Sequence, residues 1–358
     1  MRFVPVNCLR EGSIVAKKLV GRNGELLLNA GTVIQNSYIE KIKRHGYNGI
    51  YIEDDFSKDI EISGLISDEL KYRTVFGLKK VYKTLEQEKK LSNDDIEKIY
   101  NLANNLLEEL LSNKELIVNM IDIKMFDEYT YFHSVNVSVL SIVIGISLNL
   151  DKNLLYNLAL SSLLHDIGKV FIDKEILNKR GKLTKKESEI IRTHPFSGYD
   201  YLKSTNHFPA SVYIGILQHH EKCNGAGYPM ALSGKNISLF GKIISIADIY
   251  DAMTSDRPYR KALLPSEAIE YIMGGSGTLF DKEIVKYFVE RITPYPNGTC
   301  VRLSNNSLAL VVENYKDCCL RPKVKVIFEN DKLVDPYILD LRNDQRTRNI
   351  TIVGLFNL

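Results

Sequence analysis

Six of the seven histidines in this 358-residue chain lie between positions 133 and 248. Five of them, His133, His165, His194, His219 and His220, fall in an order suited to a polynuclear metal site, with Asp166 directly after His165 and Asp248 closing the set. Imidazole nitrogen with carboxylate oxygen is the donor mix that suits iron, manganese or zinc. On a helix His165 and Asp166 would point about 100° apart and so address neighbouring cations; with two oxygens, Asp166 is the natural bridge between them. Lys169 shares their face, where its ammonium would meet an anionic substrate. His219 and His220 bring two imidazoles from one helix end, and Pro195 puts His194 near a helix terminus. Two such cations lower the pKa of a shared water, deliver hydroxide at neutral pH and clamp phosphate oxygens as charge builds up. The chemistry indicated is hydrolysis of a phosphodiester, with no serine or cysteine nucleophile required.

Each fragment alone has a plainer explanation. An isolated His-Asp or His-His pair is usually a surface or capping pair; the co-occurrence in one helical region is what carries the metal reading. His207, in Ser204-Thr205-Asn206-His207-Phe208-Pro209, reads as a structural or solvated loop histidine, and His45 as a partner of a helix C-terminus. Cys223 is three residues from His220 but reads as an ordinary loop thiol. The five cysteines show no C-x-x-C spacing, which fits reduced thiols.

The elements that must position these residues follow from periodicity. Val135–Leu148, Asn153–Leu164, Lys185–His194, Tyr213–His220, Lys242–Met253 and Ser266–Met273 have helical spacing. Upstream, Ser67–Lys90 carries an apolar stripe (Leu70, Val75, Leu78, Tyr82, Leu85), and Ser92-Asn93-Asp94-Asp95 resembles a helix start continued by Ile96–Leu111. This pair reads as a connector whose stripe packs either on a second subunit, as a homodimer, or on the next domain. The first 55 residues read as a small α+β module, with strands over Ser13–Val20, Glu25–Leu28 and Gly49–Ile52, an Asn23-Gly24 turn and a helix from Asn36 to His45 closed by Gly46. From Tyr295 onward the pattern is β, with Thr299–Arg302, Leu308–Glu313 and Lys323–Phe328 as strands and Asn305-Asn306 as a turn. The expected division is 1–55, 56–120, 121–293 and 294–358.

The net charge of +3 on 47 basic and 44 acidic residues is nearly balanced. With no basic block or basic-aromatic stripe, polymeric nucleic acid is not the expected partner and an anionic ligand should be small. Met1–Asn7 has no signal-peptide apolar region, and Val137–Leu150 is too short and too interrupted to span a bilayer. A cytoplasmic protein with no membrane partner is expected.

At these residues the chain resembles the HD-GYP family, a branch of the HD phosphohydrolase superfamily. The resemblance runs through Tyr129-Thr130-Tyr131-Phe132-His133-Ser134, His165-Asp166-Ile167-Gly168-Lys169, His194-Pro195 and His219-His220-Glu221. It continues through Gly225-Ala226-Gly227-Tyr228-Pro229, Ile246-Ala247-Asp248 and Asp251-Ala252-Met253-Thr254-Ser255-Asp256-Arg257-Pro258-Tyr259-Arg260. It implies a mainly α fold, an HD-type helical bundle core between the small N-terminal α+β module and the small C-terminal β module. It also implies a phosphodiesterase opening cyclic di-GMP to linear pGpG and onward to GMP. By that resemblance, two divalent ions, iron or manganese, would be held by His133, His165, Asp166 and Asp248 and by Asp166, His194, His219 and His220. Lys169 would meet the scissile phosphate, Tyr228, Arg257 and Arg260 would grip phosphates or guanines, and Gly225, Gly227 and Pro229 would shape a loop approaching the nucleotide. Members with a third metal carry glutamate where this chain has Tyr129, and Glu128 is off phase, so a dinuclear site is expected. Rival readings are another cyclic dinucleotide as substrate, such as cyclic GMP-AMP, a cyclic di-GMP receptor with little turnover, and a scaffold with a relic site.

Overall fold

Helix caps and apolar stripes account for most of the elements. The computed structural model describes residues 1–21, 25–45, 47, 49–60, 62, 64–113, 118–119, 129–179, 181–255, 262–315 and 318–356. The Asn23-Gly24 turn and Gly46 lie outside them.

At the N-terminal end stand β1 (Arg2–Pro5), β2 (Ile14–Val15), β3 (Leu19–Val20), β4 (Leu26–Leu28), α1 (Asn36–Arg44) and β5 (Gly49–Glu53). β5 runs between β1 and β2, antiparallel to both. The strand expected over Ser13–Val20 is divided. β2 joins β5, while β3 pairs with β4, because Val15 exchanges backbone hydrogen bonds with Thr32 and Gly31 (2.9 and 2.7 Å) before the chain turns away. Ile50 and Ile52 of β5 face this module's own core with Val4, Val15, Ile34 and Ile42. Tyr51, on the opposite side of the pleat, faces elsewhere.

The helical body follows as α2 (Asp68–Glu88), α3 (Asn93–Ser112), a two-residue β6 (Val118–Asn119), α4 (Tyr129–Ser147), α5 (Lys152–Leu163), α6 (Lys174–Leu177), α7 (Lys185–Ile191), α8 (His194–Thr205), α9 (Ala210–Gln218), α10 (Leu239–Thr254), α11 (Pro265–Gly274) and α12 (Lys282–Arg291). Ser67 caps α2 by accepting from Leu70 N, and Ser92 with Asp95 forms a reciprocal capping box on α3. α8 was not expected as a separate helix. The segment Lys185–His194 breaks at Ile191, because Pro195 sits comfortably only in the first turn of a helix and so marks a start rather than an end. α4 is the central helix, buried on every side through Val135, Val137, Leu140, Ile142 and Ile144, and flanked by α2, α3, α5, α10 and α12. That burial explains why apolar residues fall on every face of α4, interrupted by polar ones such as Ser138, Ser141 and Ser147 that are themselves buried; among the described residues no helix is long and apolar enough to cross a membrane.

The stripe on α2 is spent inside the chain. Leu70, Val75, Leu78, Tyr82 and Leu85 are buried in the same core as α4, α5 and α10. Of the two readings of this stripe, packing on the next helices is the one the fold shows.

β7 (Ile292–Thr293) pairs in parallel with β6 and leads to β8 (Cys300–Leu303), β9 (Leu308–Glu313), β10 (Lys323–Glu329), β11 (Lys332–Asp340) and β12 (Ile352–Leu355). The last five form one antiparallel sheet in the order β11-β10-β9-β8-β12. Asn306 adopts a positive φ of 64° in the expected turn. Alternation along β10 lets successive residues serve two cores, and a bulge between Val326 and Phe328 turns Phe328 to the same side as Ile327. Val326 enters the sheet's own core, while Ile327 packs with Tyr51, Ile60 and Ile62, joining the terminal modules. The architecture is mainly α, a helical bundle with a small α+β module before it and a β module after it.

Candidate metal centre

Five parts of the bundle converge on one buried point. His133 comes from the second turn of α4, and Asp248 from α10. His165 and Asp166 do not lie on a helix as expected. α5 ends at Leu163, and the pair occupies the turn into a 3-10 segment, Ile167–Phe171. In a 3-10 turn residues three apart eclipse, so Lys169 stands over Asp166, with Lys169 Nζ 2.5 Å from Asp166 Oδ2. His194 opens α8, and His219 caps the C-terminus of α9 with His220 next.

Two groups have ligand atoms close enough for one ion each: His133, His165 and Asp166, and His194, His219 and His220. Asp166 faces both. Its Oδ2 is 3.8 Å from His133 Nε2 and 3.5 Å from His165 Nε2, while its Oδ1 is 3.3 Å from His194 Nε2. Asp248 joins the first group through His133 Nε2 at 3.2 Å and reaches His220 Nδ1 at 3.6 Å.

The ring orientations are set by backbone. His165, His194 and His219 each place Nδ1 on a carbonyl three residues earlier, Ser162, Ile191 and Ile216, at 2.8, 2.8 and 2.6 Å. Donating there leaves a lone pair on each Nε2. His194 Nε2 and His219 Nε2 then face each other at 3.3 Å with no proton left to share; a cation between them is what such a pair fits. His133 is oriented differently, with Nδ1 2.7 Å from Asp251 Oδ2, whose other oxygen accepts from Asn136 Nδ2 at 2.9 Å. A carboxylate behind a ligating imidazole fixes its tautomer and raises its basicity.

Electrostatics match a cation site. Burial pushes the Asp166 carboxyl up, but Lys169, His165 and His194 hold it well below the usual carboxylate range. Asp248 is likewise held low against burial, by His133 and His220. Burial pushes His219 down to about 3, aided by His165 and His194, and lowers His165 and His220 as well. Neutral imidazoles beside ionised carboxylates are the protonation states that bind a divalent metal. His133 is the exception: burial lowers it, yet Asp248 and Asp251 bring it to about 9.

The loop after His220 folds back over this point. Buried Glu221 receives Met230 N and Leu232 N at 2.7 and 2.9 Å. Gly225 has φ +78°, and a side chain at Gly227 would overlap the backbone of Glu221 and Lys222. In this structure that close approach is of the loop to its own chain. Tyr228 stacks on His220, centroids 4.7 Å apart. Arg257 and Arg260 lie outside the described residues, as does Glu128. Cys223 belongs to neither ligand group, and His207 is exposed.

Asp251, Asn136 and Glu221 were given no role from sequence. A signal existed: Asp251 is three residues after Asp248, and Asn136 three after His133, each sharing a helical face with a ligand candidate. That α4 and α10 face each other was needed to pair them. Adding manganese to chelator-stripped protein should raise Tm by about 5–15 °C, since saturation adds roughly 4 kcal/mol at a thousand times Kd. An unchanged Tm would count against the site.

The donor chemistry thus defines a divalent-metal centre inside a helical bundle. Residues 105–284 match the family model of the HD domain, and residues 300–357 that of a KOW domain associated with HD domain. The chain is 39% identical over 230 residues to the cyclic di-GMP phosphodiesterase PA4108 of Pseudomonas aeruginosa, covering 63% of this chain and 55% of that protein. It therefore spans about half the length of that relative. It is 36% identical over 164 residues to the 3'3'-cGAMP-specific phosphodiesterase 1 of Vibrio cholerae, covering 46% of this chain and 37% of the relative. The solved structure of Bd1817, an HDG"Y"P protein from Bdellovibrio bacteriovorus, aligns over 80% of this chain and 97% of that one with a TM-score of 0.54 at 18% identity, a likeness of fold. The chain belongs to the HD domain family, in its HD-GYP branch.

Proposed function

We propose that this chain is a metal-dependent phosphodiesterase that opens cyclic di-GMP to linear pGpG, acting in the cytoplasm on a small dinucleotide rather than on polymeric nucleic acid. The observation that carries the reading is Asp166, one carboxylate whose two oxygens face two separate histidine groups, with Lys169 beside it. Similarity to PA4108 supports the substrate.

His133, His165, Asp166 and Asp248 would hold one divalent ion, and Asp166, His194, His219 and His220 the other, a donor set that suits iron, manganese or zinc, with iron or manganese implied by the family resemblance. Such ions supply an acidified water and charge neutralisation for the phosphate. The protein's own groups do the rest. Asp251, anchored by Asn136, holds His133 in its ligating orientation. The Lys169 side chain is about a quarter exposed (27%) and can turn from Asp166 to a non-bridging phosphate oxygen. Tyr228 presents its hydroxyl beside the cluster, and Arg257 and Arg260 take phosphate oxygens or guanine edges. Glu221 holds the loop that carries Tyr228. The modules at 1–55 and 294–358 flank the catalytic bundle as accessory units. With Tyr129 in place of glutamate, two metals rather than three are bound, and release of GMP from pGpG is slow.

A second reading, cyclic GMP-AMP as substrate, is supported by similarity to the Vibrio cholerae enzyme. Protein purified without oxygen is assayed for metal content and for turnover of both cyclic dinucleotides with iron or manganese. Conversion of cyclic di-GMP to pGpG with about two metals per chain is expected. Faster turnover of cyclic GMP-AMP would reassign the substrate. Tight binding without turnover in either metal would make the chain a receptor.

A further inference from the structure

Arg192 has no role in the reading above. It closes α7, two residues before His194, and its side chain is exposed. Its guanidinium carbon stands 5.2 Å from the centroid of the Tyr228 ring, which in turn stacks on His220 at 4.7 Å and 29°. His220, Tyr228 and Arg192 therefore form a continuous run of ring contacts from the buried cluster to the surface. The His220 side chain is 22% exposed, Tyr228 half-buried and Arg192 open to solvent.

The basic groups around this run are differently committed. Lys169 is engaged by Asp166 at 2.5 Å, and the half-buried Lys222 lies over Phe280 at 4.8 Å. Among the described residues no carboxylate pairs with Arg192 and no acceptor takes its N–H groups. A guanidinium stacked on an aromatic ring keeps its planar N–H edge free and loses little further rotamer freedom when that edge is used. Its partner must then be a planar pair of acceptors, the geometry of two phosphate oxygens or of guanine O6 and N7.

We propose that Arg192 is a substrate-binding residue, held at the rim of the metal site by Tyr228, whose guanidinium takes a pair of acceptors on the bound dinucleotide. The inference rests on the cyclic dinucleotide reading above. It also recasts Tyr228, whose ring supports Arg192 rather than serving as an open platform for a base.

Kinetics of Arg192→Ala, Arg192→Lys, Tyr228→Ala and the Arg192→Ala/Tyr228→Ala double variant on cyclic di-GMP test it, with metal content measured on each. Arg192→Ala should raise KM by about 10- to 100-fold, with a smaller change in kcat and wild-type metal content. Arg192→Lys keeps the charge without the planar fork and should recover only part of the loss. The double variant should lose little beyond Tyr228→Ala alone, because Arg192 needs the ring beneath it. Cyclic di-AMP used as a competitor separates the two acceptor sources. Its inhibition weakens in the same proportion as KM rises if Arg192 takes phosphate, and changes little if it reads guanine. An unchanged KM in Arg192→Ala, full recovery by lysine, or loss of metal would overturn the assignment while leaving the phosphodiesterase reading in place. Wild-type protein inert towards cyclic di-GMP would overturn both.

Discussion

Asp166→Asn should lower phosphodiester turnover by about 10³- to 10⁵-fold and leave the protein with less than half its metal, on the reading that Asp166 bridges the two groups. Asparagine keeps the shape of the side chain but replaces one acceptor oxygen with an NH₂ donor and removes the charge. Whichever way the amide turns, its nitrogen faces either His194 Nε2, now 3.3 Å from Oδ1, or the His133 and His165 side together with Lys169 Nζ, now 2.5 Å from Oδ2. Neither orientation can serve two cations. Removal of the buried carboxylate also strips the lysine and the imidazoles of the negative charge they surround, so a loss at both metal positions is expected rather than at one. Metal analysis beside single-turnover assays checks this. A variant that kept both metals and more than about a tenth of the activity would rule out the bridging role.

The second large effect comes from a residue with no side chain. A methyl at Gly168 would overlap the carbonyl oxygen of His194 and lie 2.6 Å from Gly198 N. The obstacle is backbone, which cannot rotate aside as a flexible side chain can. Gly198 offers the same closeness from the other direction, its own added carbon falling 3.2 Å from Gly168 N. The first turn of α8 thus packs directly on the 3-10 segment, and this contact sets His194 against Asp166. Gly168→Ala should force the two apart, at a cost of about 3 kcal/mol or more, lowering Tm by roughly 6–12 °C. Displacement of His194 by as little as 1 Å should also reduce turnover about 10²-fold. Differential scanning calorimetry with metal analysis reads both. A Tm within about 2 °C of wild type and an undiminished metal content would show that the contact relaxes elsewhere.

The parts of this molecule legible from sequence are those whose chemistry is local or scarce. Histidine is rare enough here that the crowding of His133, His165, His194, His219 and His220 with Asp166 and Asp248 marks one site without any fold in hand, and the structure does bring those seven side chains together. The starts of α2 and α3 were readable because a cap is an exchange between residues three apart, Ser67 with Leu70 and Ser92 with Asp95. Pro195 was readable as a helix boundary, but whether it ends one helix or begins another depends on what packs against it; here Gly168 and Gly198 let α8 start on the 3-10 segment.

Tertiary packing decided the rest. The apolar stripe of α2 has the same spacing whether it covers a second copy or the chain's own α4, and only the assembled core assigns it. Asp251 and His133 are 118 residues apart, so their 2.7 Å contact follows from α10 lying beside α4 and from nothing local. The pleat alone sends Val326 and Ile327 to opposite faces, but the bulge that turns Phe328 to the side of Ile327 appears only once β10 has partners on both sides. Arg192 reads as one more surface cation until the loop held by Glu221 lays Tyr228 beneath it. Sequence by itself determined the donor types and the helices' starting points, because these rest on side-chain chemistry and contacts within a turn. Which oxygen faces which histidine, and which arginine stands over the site, are set by backbones meeting across long separations, where no local pattern records the distance.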